Sequence, residues 1–416
     1  MKFETISVVG LGYIGLPTAA VIASNGIRVV GVDVNQHAVD TINQGMIHIV
    51  EPGLEDLVKR AVNDGHLTAH TSPQKADAFL IAVPTPFKGE DHEPDLKYIE
   101  SASRALAPML EKGNLVVLES TSPVGATEQM AKWLAEERSD LTFPHTVAEG
   151  QTPDIFVAHC PERVLPGQVI RELVENDRII GGMDEASTAA ATQVYKMFVK
   201  KGECIATSAR TAEMSKLTEN AFRDVNIAFA NELSLICDQQ GINVWELISL
   251  ANRHPRVNVL QPGCGVGGHC IAVDPWFIVN QNPDTAKMIR QARLVNDYKP
   301  QYVIEQVEKA VAGINNPKIA CLGLAFKPDI DDLRESPALD ITVTLASKPG
   351  YEVFAVEPNI EELPASLANL SNVKMSTVSD SIQQADVVVI LVKHKQFIGL
   401  QSSDVKSGIL LNFVNA

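Results

Sequence analysis

One run near the start, Ile6-Ser7-Val8-Val9-Gly10-Leu11-Gly12-Tyr13-Ile14-Gly15, constrains this chain more than any other. An apolar strand leads into Gly-x-Gly-x-x-Gly, and a helical pattern follows. Gly10 permits a tight turn, Gly12 lets backbone approach a pyrophosphate, and Gly15 lets the helix pack close to the strand. The helix N-terminus then offers unpaired N–H groups to phosphate. Arg28–Val32 reads as the next strand. Asp33 ends it, about 20 residues on, where a carboxylate accepts hydrogen bonds from a ribose. Val34 and Asn35 follow in place of a basic residue, which favours NAD over NADP. Three glycines alone also fit a purely structural turn; the strand, the helix and Asp33 together point to a dinucleotide.

The same rhythm continues. Strands are expected at Thr5–Val9, Arg28–Val32, Ala78–Val83 and Leu115–Leu118, with helices such as Leu16–Asn25 and His37–Asn43 between them. This is the alternation of a parallel sheet covered on both faces. From Thr211 to Gln240 there is no proline and no glycine. Met214, Leu217, Ala221, Val225, Ala228 and Leu235 recur at helical spacing, and Gly241 ends the run. A helix of roughly 30 residues is expected there, long enough for a spine or a dimer interface. The βαβ rhythm then returns at Lys318–Leu322, Glu352–Val356, Val387–Leu391 and Ile409–Phe413. Its opening, Ile319-Ala320-Cys321-Leu322-Gly323-Leu324, echoes Ile6 to Leu11, so the chain reads as a loose duplication of one α/β plan.

Composition narrows the partners. The chain has 416 residues, enough for two or three domains, with a formal net charge of -16. That charge disfavours nucleic acid and anionic membranes, so an anionic ligand needs a local basic pocket. No 18-residue apolar run and no signal-peptide pattern occurs, and the six cysteines form no C-x-x-C pair. The expectation is a cytoplasmic protein with reduced thiols. The ten histidines form no cluster with ligand spacing, so no metal site is expected.

Six further motifs carry possible chemistry. Val83-Pro84-Thr85-Pro86 and Glu119-Ser120-Thr121-Ser122-Pro123 end strands where open sheets bind ligands, and they also suit ordinary turns. Cys160-Pro161-Glu162-Arg163 reads either as a rigid loop presenting an acid and a base or as a surface ion pair. Lys216, Asn220 and Arg223 share one face of the long helix, as a solvated stripe or as a grip on an anion. Gly263-Cys264-Gly265-Val266-Gly267-Gly268-His269-Cys270 lets backbone come close to a ligand and ends in a thiol, with Asp274 following shortly after. Most cysteines are buried and inert. Here the glycines, His269 and Asp274 point to a nucleophile, provided a cation stabilises the thiolate. Finally, Phe326-Lys327-Pro328-Asp329-Ile330-Asp331-Asp332-Leu333-Arg334 is either a phosphate or uracil grip or a solvated charged loop. A nicotinamide beside a reactive cysteine suits a four-electron oxidation of a primary alcohol. The aldehyde is captured as a thiohemiacetal, oxidised to a thioester and hydrolysed.

These motifs, in this order, resemble the UDP-glucose/GDP-mannose dehydrogenase family over essentially the full length. The resemblance implies two Rossmann-like, doubly wound α/β domains joined by a central helical domain with one long helix. The expected limits are 1–205 for NAD, 206–310 for the helical, dimerising domain with the catalytic cysteine, and 311–416 for the UDP-sugar. It implies Cys270 as nucleophile, Lys216 as cation and proton carrier, and Asn220 holding the intermediates' oxygen. Asp274, Thr121 and Glu162 would order the hydrolytic water. Gly10, Gly12, Tyr13, Ile14, Gly15, Asp33, Thr85 and Thr127 would meet NAD. Arg163, Val164, Lys216, Asn220, Arg223, His254, Arg256, Gly267, Phe326, Lys327 and Arg334 would surround the UDP-sugar, with Arg256 reaching a partner subunit across the central helix. His269 points to an N-acetylated UDP-hexosamine, with UDP-N-acetyl-D-mannosamine expected, its uronate serving surface polysaccharide such as enterobacterial common antigen. Two residues depart from the family pattern: Cys264 stands where a proline is usual, and Asn412 where an aspartate is. Readings that remain beside it are a UDP-N-acetylglucosamine or UDP-glucose 6-dehydrogenase, a two-electron β-hydroxyacid-type dehydrogenase, which needs no cysteine, and a non-catalytic nucleotide-sugar binder.

Overall fold

The computed structural model describes residues 2–89, 91–148, 150–165, 167–268 and 270–416. The chain divides into two compact units, Met1–Thr218 and Glu219–Ala416.

The first unit holds an eight-stranded sheet. Its strands are β1 (Thr5–Val9), β2 (Arg28–Val32), β3 (Leu67–His70), β4 (Ala78–Ile81), β5 (Leu115–Leu118), β6 (Phe156–His159), β7 (Arg178–Gly182) and β8 (Cys204–Ser208). The spatial order is β8-β7-β6-β5-β4-β1-β2-β3. Every pair is parallel except β6 with β7. The order reverses at β1, which lies between β2 and β4. That reversal opens a crevice at the strands' carboxyl ends, where doubly wound folds bind ligands. Alternation puts Ile6, Val8, Ala78 and Leu80 in one core, and Val9, Phe79 and Ile81 in the core on the other face. Helix α1 (Gly15–Ser24) is buried from Gly15 to Ala23, so it tolerates no charge on any side.

β3, β6, β7 and β8 were not expected from the residues. Leu67-Thr68-Ala69-His70 is short and mixed in polarity, Arg178–Gly182 ends in two glycines, and β8 is a largely exposed edge. None presents the long β-branched run that marks a central strand.

The long helix, α3, spans Ala209–Gln240 and is 32 residues in length, two residues longer at its start than the periodicity predicts. Glu219–Ala416 continues with α4 (Val244–Ala251), α5 (Asp274–Gln281) and α6 (Lys287–Ala310), then a five-stranded sheet. Its strands are β9 (Lys318–Leu322), β10 (Glu352–Val356), β11 (Val373–Met375), β12 (Val387–Ile390) and β13 (Leu410–Asn412), in the order β11-β10-β9-β12-β13. All four pairs are parallel, and the order repeats that of β3-β2-β1-β4-β5. The duplication read from the residues is therefore one of topology. Both sheets are Rossmann-like.

Each unit buries polar groups. In the first they gather just beyond β5 and β6. Tyr195 OH donates to Glu119 Oε1 at 2.5 Å, and Arg178 Nη1 to Glu162 Oε2 at 2.7 Å. Glu119, Glu162, Arg178 and Tyr195 are all buried. Burial, reinforced by the Glu162 carboxylate, pushes the Glu119 carboxyl up to about 7. In the second unit Asp224 and Asn231 from α3 meet α6. Arg293 Nη1 donates to Asp224 Oδ1 at 2.6 Å, Asn296 Nδ2 to the same oxygen at 2.8 Å, and Asn231 Nδ2 to Asn296 Oδ1 at 2.8 Å.

A carboxyl whose pKa is higher folded than unfolded stabilises the fold at low pH, and that contribution is lost as pH rises through the folded value. The Glu119→Gln variant keeps the acceptor for Tyr195 and cannot ionise. Its melting temperature relative to the parent should therefore climb between about pH 5 and about pH 8; a difference that stays flat across that range would contradict it. Arg293→Met strands Asp224 as a buried, uncompensated charge, at an expected cost of about 3–5 kcal/mol in denaturant unfolding.

Candidate active site

The nucleotide turn is built by sterics on two of its three glycines. Gly10 has φ +93, and a Cβ there would lie 2.6 Å from Ala82 O. A Cβ on Gly15 would lie 1.7 Å from Gly10 O, because α1 starts against the turn. Gly12 differs, since a Cβ there meets no atom within 4 Å. The fold itself does not require glycine at position 12, and close approach of a phosphate does. Asp33 holds the turn from the end of β2. Its Oδ2 accepts Leu11 N at 2.8 Å and its Oδ1 accepts Asn35 N at 2.9 Å. Each oxygen retains a lone pair for a ribose hydroxyl. No side chain caps the N-terminus of α1 and no acidic residue lies in its first turn, so its dipole remains available to an anion. Tyr13 is exposed and Ile14 half-buried on this turn. Thr85 Oγ1, just past β4, is buried without a hydrogen-bond partner, a polar atom that a ligand in this crevice would satisfy. The residues fit NAD.

Thr127 is placed differently. It is fully buried, and its N and Oγ1 both bond to Glu213 Oε1, at 2.8 and 2.6 Å. Glu213 Oε2 also accepts Gly125 N at 2.7 Å. Glu213 lies on α3 and caps helix α2 (Ala126–Glu137) from outside, since Gly125 at its N-cap brings no side chain. It organises the stretch that follows Thr121. Its only sequence signal is an acid on the apolar face of the long helix.

Thr121 is half-buried beside the buried Glu119 and Ser120. Glu162 is buried, with Arg178 on one oxygen and Arg163 N on the other at 2.6 Å. Of the two readings of that loop, the surface ion pair does not hold for Glu162, whose side chain is buried against Arg178. Arg163 and Val164 are half-buried next to it.

In Glu219–Ala416 a second constellation forms. Cys270 is exposed in the turn before α5, and Asp274 N donates to Cys270 O at 2.8 Å. That single turn stacks the thiol residue over Asp274, which is buried in the first turn of α5. Asn220 Nδ2 donates to Asp274 Oδ2 at 2.5 Å. Asn231 Oδ1 accepts Gly263 N at 2.9 Å and anchors the start of the glycine loop. Further on, Gly268 N donates to Glu335 O at 3.2 Å, and a Cβ on Gly267 would lie 2.3 Å from the same oxygen and 3.1 Å from Phe326 Cβ. The glycine loop is therefore docked on the loop that carries Phe326, Lys327 and Arg334. Cys264 is buried in the core and its thiol is pushed up to about 12 by burial, so it stays protonated and inert at neutral pH.

Lys327 Nζ stands 5.4 Å from the Phe326 ring. Arg334 forks onto Asp332, with Nε at 2.8 Å and Nη2 at 2.6 Å from the two oxygens. Lys216 is half-buried and Arg223 exposed, both on α3. His254 and Arg256 are exposed after α4, and Arg256 N donates to His254 Nδ1 at 3.4 Å. Asn412 turns its side chain onto its own tail, accepting Val414 N and Ala416 N at 3.2 Å. His269, read as a specificity residue, lies outside the described residues. Among the described residues no group of His, Cys, Asp and Glu is arranged to hold a metal, and no helix is long and apolar enough to cross a membrane.

Comparison with known proteins agrees with this geometry. Residues 4–199 match the NAD binding domain of the UDP-glucose/GDP-mannose dehydrogenase family, 210–298 its central domain and 320–414 its UDP binding domain. The chain is 67% identical over 406 residues to UDP-N-acetyl-D-mannosamine dehydrogenase of Campylobacter jejuni, covering 98% of this chain and 99% of that one. It is 62% identical over 412 residues to NDP-N-acetyl-D-galactosaminuronic acid dehydrogenase of Ralstonia solanacearum, covering 99% and 96%. The solved structure of UDP-D-ManNAc dehydrogenase from Pyrococcus horikoshii superposes with a TM-score of 0.87 at 38% identity, covering 99% of this chain and 95% of that one. A glycine turn that leaves room for a pyrophosphate, followed by matches to all three domains in order, makes this chain a member of the UDP-glucose/GDP-mannose dehydrogenase family, an NAD-dependent dehydrogenase of UDP-sugars.

Proposed function

We propose that this enzyme oxidises the C6 primary alcohol of UDP-N-acetyl-D-mannosamine to the carboxylate, through a thiohemiacetal and a thioester on Cys270. The observation that carries the reading is the exposed thiol one helical turn before a buried Asp274 that Asn220 holds. The 67% identity to a UDP-N-acetyl-D-mannosamine dehydrogenase supports the sugar. Gly10, Gly12, Asp33 and Thr85 would hold NAD at the glycine turn, where it would supply the hydride acceptor for each of the two oxidations.

The chain's own residues do the rest. Lys216 takes the hydroxyl proton as the alcohol becomes an aldehyde, and its charge favours the Cys270 thiolate. The thiolate adds to the aldehyde carbon, and the amide of Asn220 stabilises the oxygen that gains charge. Once that carbon is oxidised a second time, Asp274, Thr121 and Glu162 orient the water that cleaves the C–S bond and returns the thiol. The balance is one alcohol, two NAD and one water giving one carboxylate, two NADH and protons. A binding module has no use for this nucleophile, and a two-electron dehydrogenase has no step that needs it.

Tyr13, Ile14, Asp33, Thr85 and Thr127 belong to the NAD side in this reading. Arg163, Val164, Arg223, His254, Arg256, Gly267, Phe326, Lys327 and Arg334 belong to the UDP-sugar side. We divide the chain into an NAD domain (1–205), a central helical domain (206–310) and a UDP-sugar domain (311–416). We place the reaction in the cytoplasm, in the supply of surface polysaccharide such as enterobacterial common antigen. A homodimer through the central helix is part of the proposal. Phe222, Phe229 and Ile236 are exposed by 70%, 53% and 41% at heptad spacing along α3, a stripe suited to a second copy. The Ralstonia relative favours a second reading, in which the substrate is the galacto epimer.

With purified enzyme and a panel of UDP-hexoses and UDP-N-acetylhexosamines, UDP-N-acetyl-D-mannosamine should release two NADH per sugar. Turnover of UDP-glucose alone would overturn the substrate, and preference for UDP-N-acetyl-D-galactosamine would select the second reading. Cys270→Ala should lower kcat by at least about a thousandfold with NAD binding unchanged; near-parental turnover would remove the covalent mechanism. Phe229→Asp should shift the enzyme from dimer to monomer in light scattering, and an unchanged mass would exclude this stripe as the interface.

A further inference from the structure

The two sheets end their second strands alike. In the first, Gly10 N donates to Val32 O at 2.8 Å and Leu11 N to Asp33. In the second, Gly323 N donates to Val356 O at 2.8 Å, and Leu324 N and Ala325 N donate to Glu357 Oε2 at 2.8 and 3.0 Å. Asn35 N on Asp33 is matched by Asn359 N on Glu357 Oε1, at 3.1 Å. They differ in what stands beyond the carboxylate. Asp33 is half-buried and faces the crevice, whereas Glu357 is buried under the fully buried ring of His394.

Hydrogen bonding assigns that ring. Asp329 N donates to His394 Nδ1 at 2.9 Å, so Nδ1 carries no proton. The proton sits on Nε2, which faces Glu357 Oε2 at 3.0 Å. Asn359 Nδ2 also lies 3.2 Å from Nδ1. Burial alone would raise the Glu357 carboxyl, but the His394 ring and the Leu324 amide hold it below its ordinary value, as an acceptor. Asp329 is tied a second time, its Oδ1 accepting Lys395 N at 3.1 Å, and it has φ 59, a conformation that needs such ties in a residue other than glycine. Two residues before it stands Lys327. The loop closes on itself through Phe326 N to Asp332 O at 3.2 Å.

We propose that His394 is the positioning residue for UDP recognition: its Nδ1 holds the Asp329 amide, and so the loop bearing Phe326 and Lys327, against a sheet end that Glu357 has sealed. The proposal rests on the reading that this loop grips the UDP moiety. In the second unit the strand-end carboxylate is thereby diverted from a ribose to the protein's own imidazole, and recognition passes to the loop.

Calorimetric titration of UDP into full-length enzyme separates the parts. His394→Asn keeps an acceptor near the place of Nδ1, and His394→Gln keeps a donor near the place of Nε2. The Gln variant should bind UDP at least about tenfold more weakly and the Asn variant within about threefold of the parent. Both should bind NAD normally, and the Gln variant should show its loss in KM for the UDP-sugar with kcat little changed. Equal UDP affinity in the Gln variant and the parent, equal losses in both variants, or a matching loss of NAD affinity would overturn the proposal. A parent enzyme that does not bind UDP would instead refute the functional reading beneath it. If the variants fail to fold, hydrogen exchange in the parent decides. The Asp329 amide should be protected within an exposed loop, and fast exchange there would end the idea.

Discussion

A carboxylate at the end of the second strand, accepting the amide that follows a left-handed glycine, is the bond on which both halves of this enzyme depend. Asp33 makes it to Leu11 and Glu357 makes it to Leu324, each at 2.8 Å. The geometry is economical in a physical sense. The glycine turns the chain out of a buried strand, and the next amide would be left unpaired at the sheet end. One charged acceptor satisfies that amide and fixes the turn. Where the carboxylate stays open to the crevice, as Asp33 does, it keeps acceptor capacity beyond the turn it holds. Where an imidazole covers it, it becomes internal structure.

The long helix is the second organising element. One stretch of 32 residues supplies Glu213 to the loop before α2, and Asn220, Asp224 and Asn231 to α5, α6 and the glycine loop. The polar residues that reach inward are spaced so that each meets a different segment of chain. Buried groups of this kind are costly unless paired, and here each has a named partner. The glycine loop inherits its position from them: Asn231 sets where it starts, and Asn220 with Asp274 sets where it ends. This arrangement also explains the tolerance of Cys264. It packs as a small apolar residue in the core, and burial keeps its thiol neutral beside a loop whose exposed thiol is Cys270.

Much of the architecture is legible in the sequence. Gly10 to Gly15 with Asp33, the helix ending at Gly241, and the echo of the first strand at Ile319 are local patterns, and local patterns follow from backbone sterics and periodicity. The edge strand β8 and the short β3 were not legible, because an exposed edge has no apolar run to announce it. For Glu162 the residues left a rigid presenting loop and a surface ion pair equally open, and the folded chain gives it Arg178, 16 positions on. Glu213, Asn231, Arg293 and His394 carry no motif and were missed for the same reason. Each matters through a partner dozens of residues away.

The residues alone determined the glycine turn, which of the apolar β-branched runs become strands, and that a thiol and a nucleotide turn belong to one protein. Only the tertiary structure decided which acids are open and which are closed. Asp33 and Glu357 occupy equivalent places in a repeated pattern, and nothing adjacent to either distinguishes an exposed carboxylate from a sealed one. The difference is His394, 37 positions beyond Glu357, brought over it by the parallel pairing of β9 with β12. Burial is a property of what packs from afar, and it sets the charge, the partner and hence the role of each group.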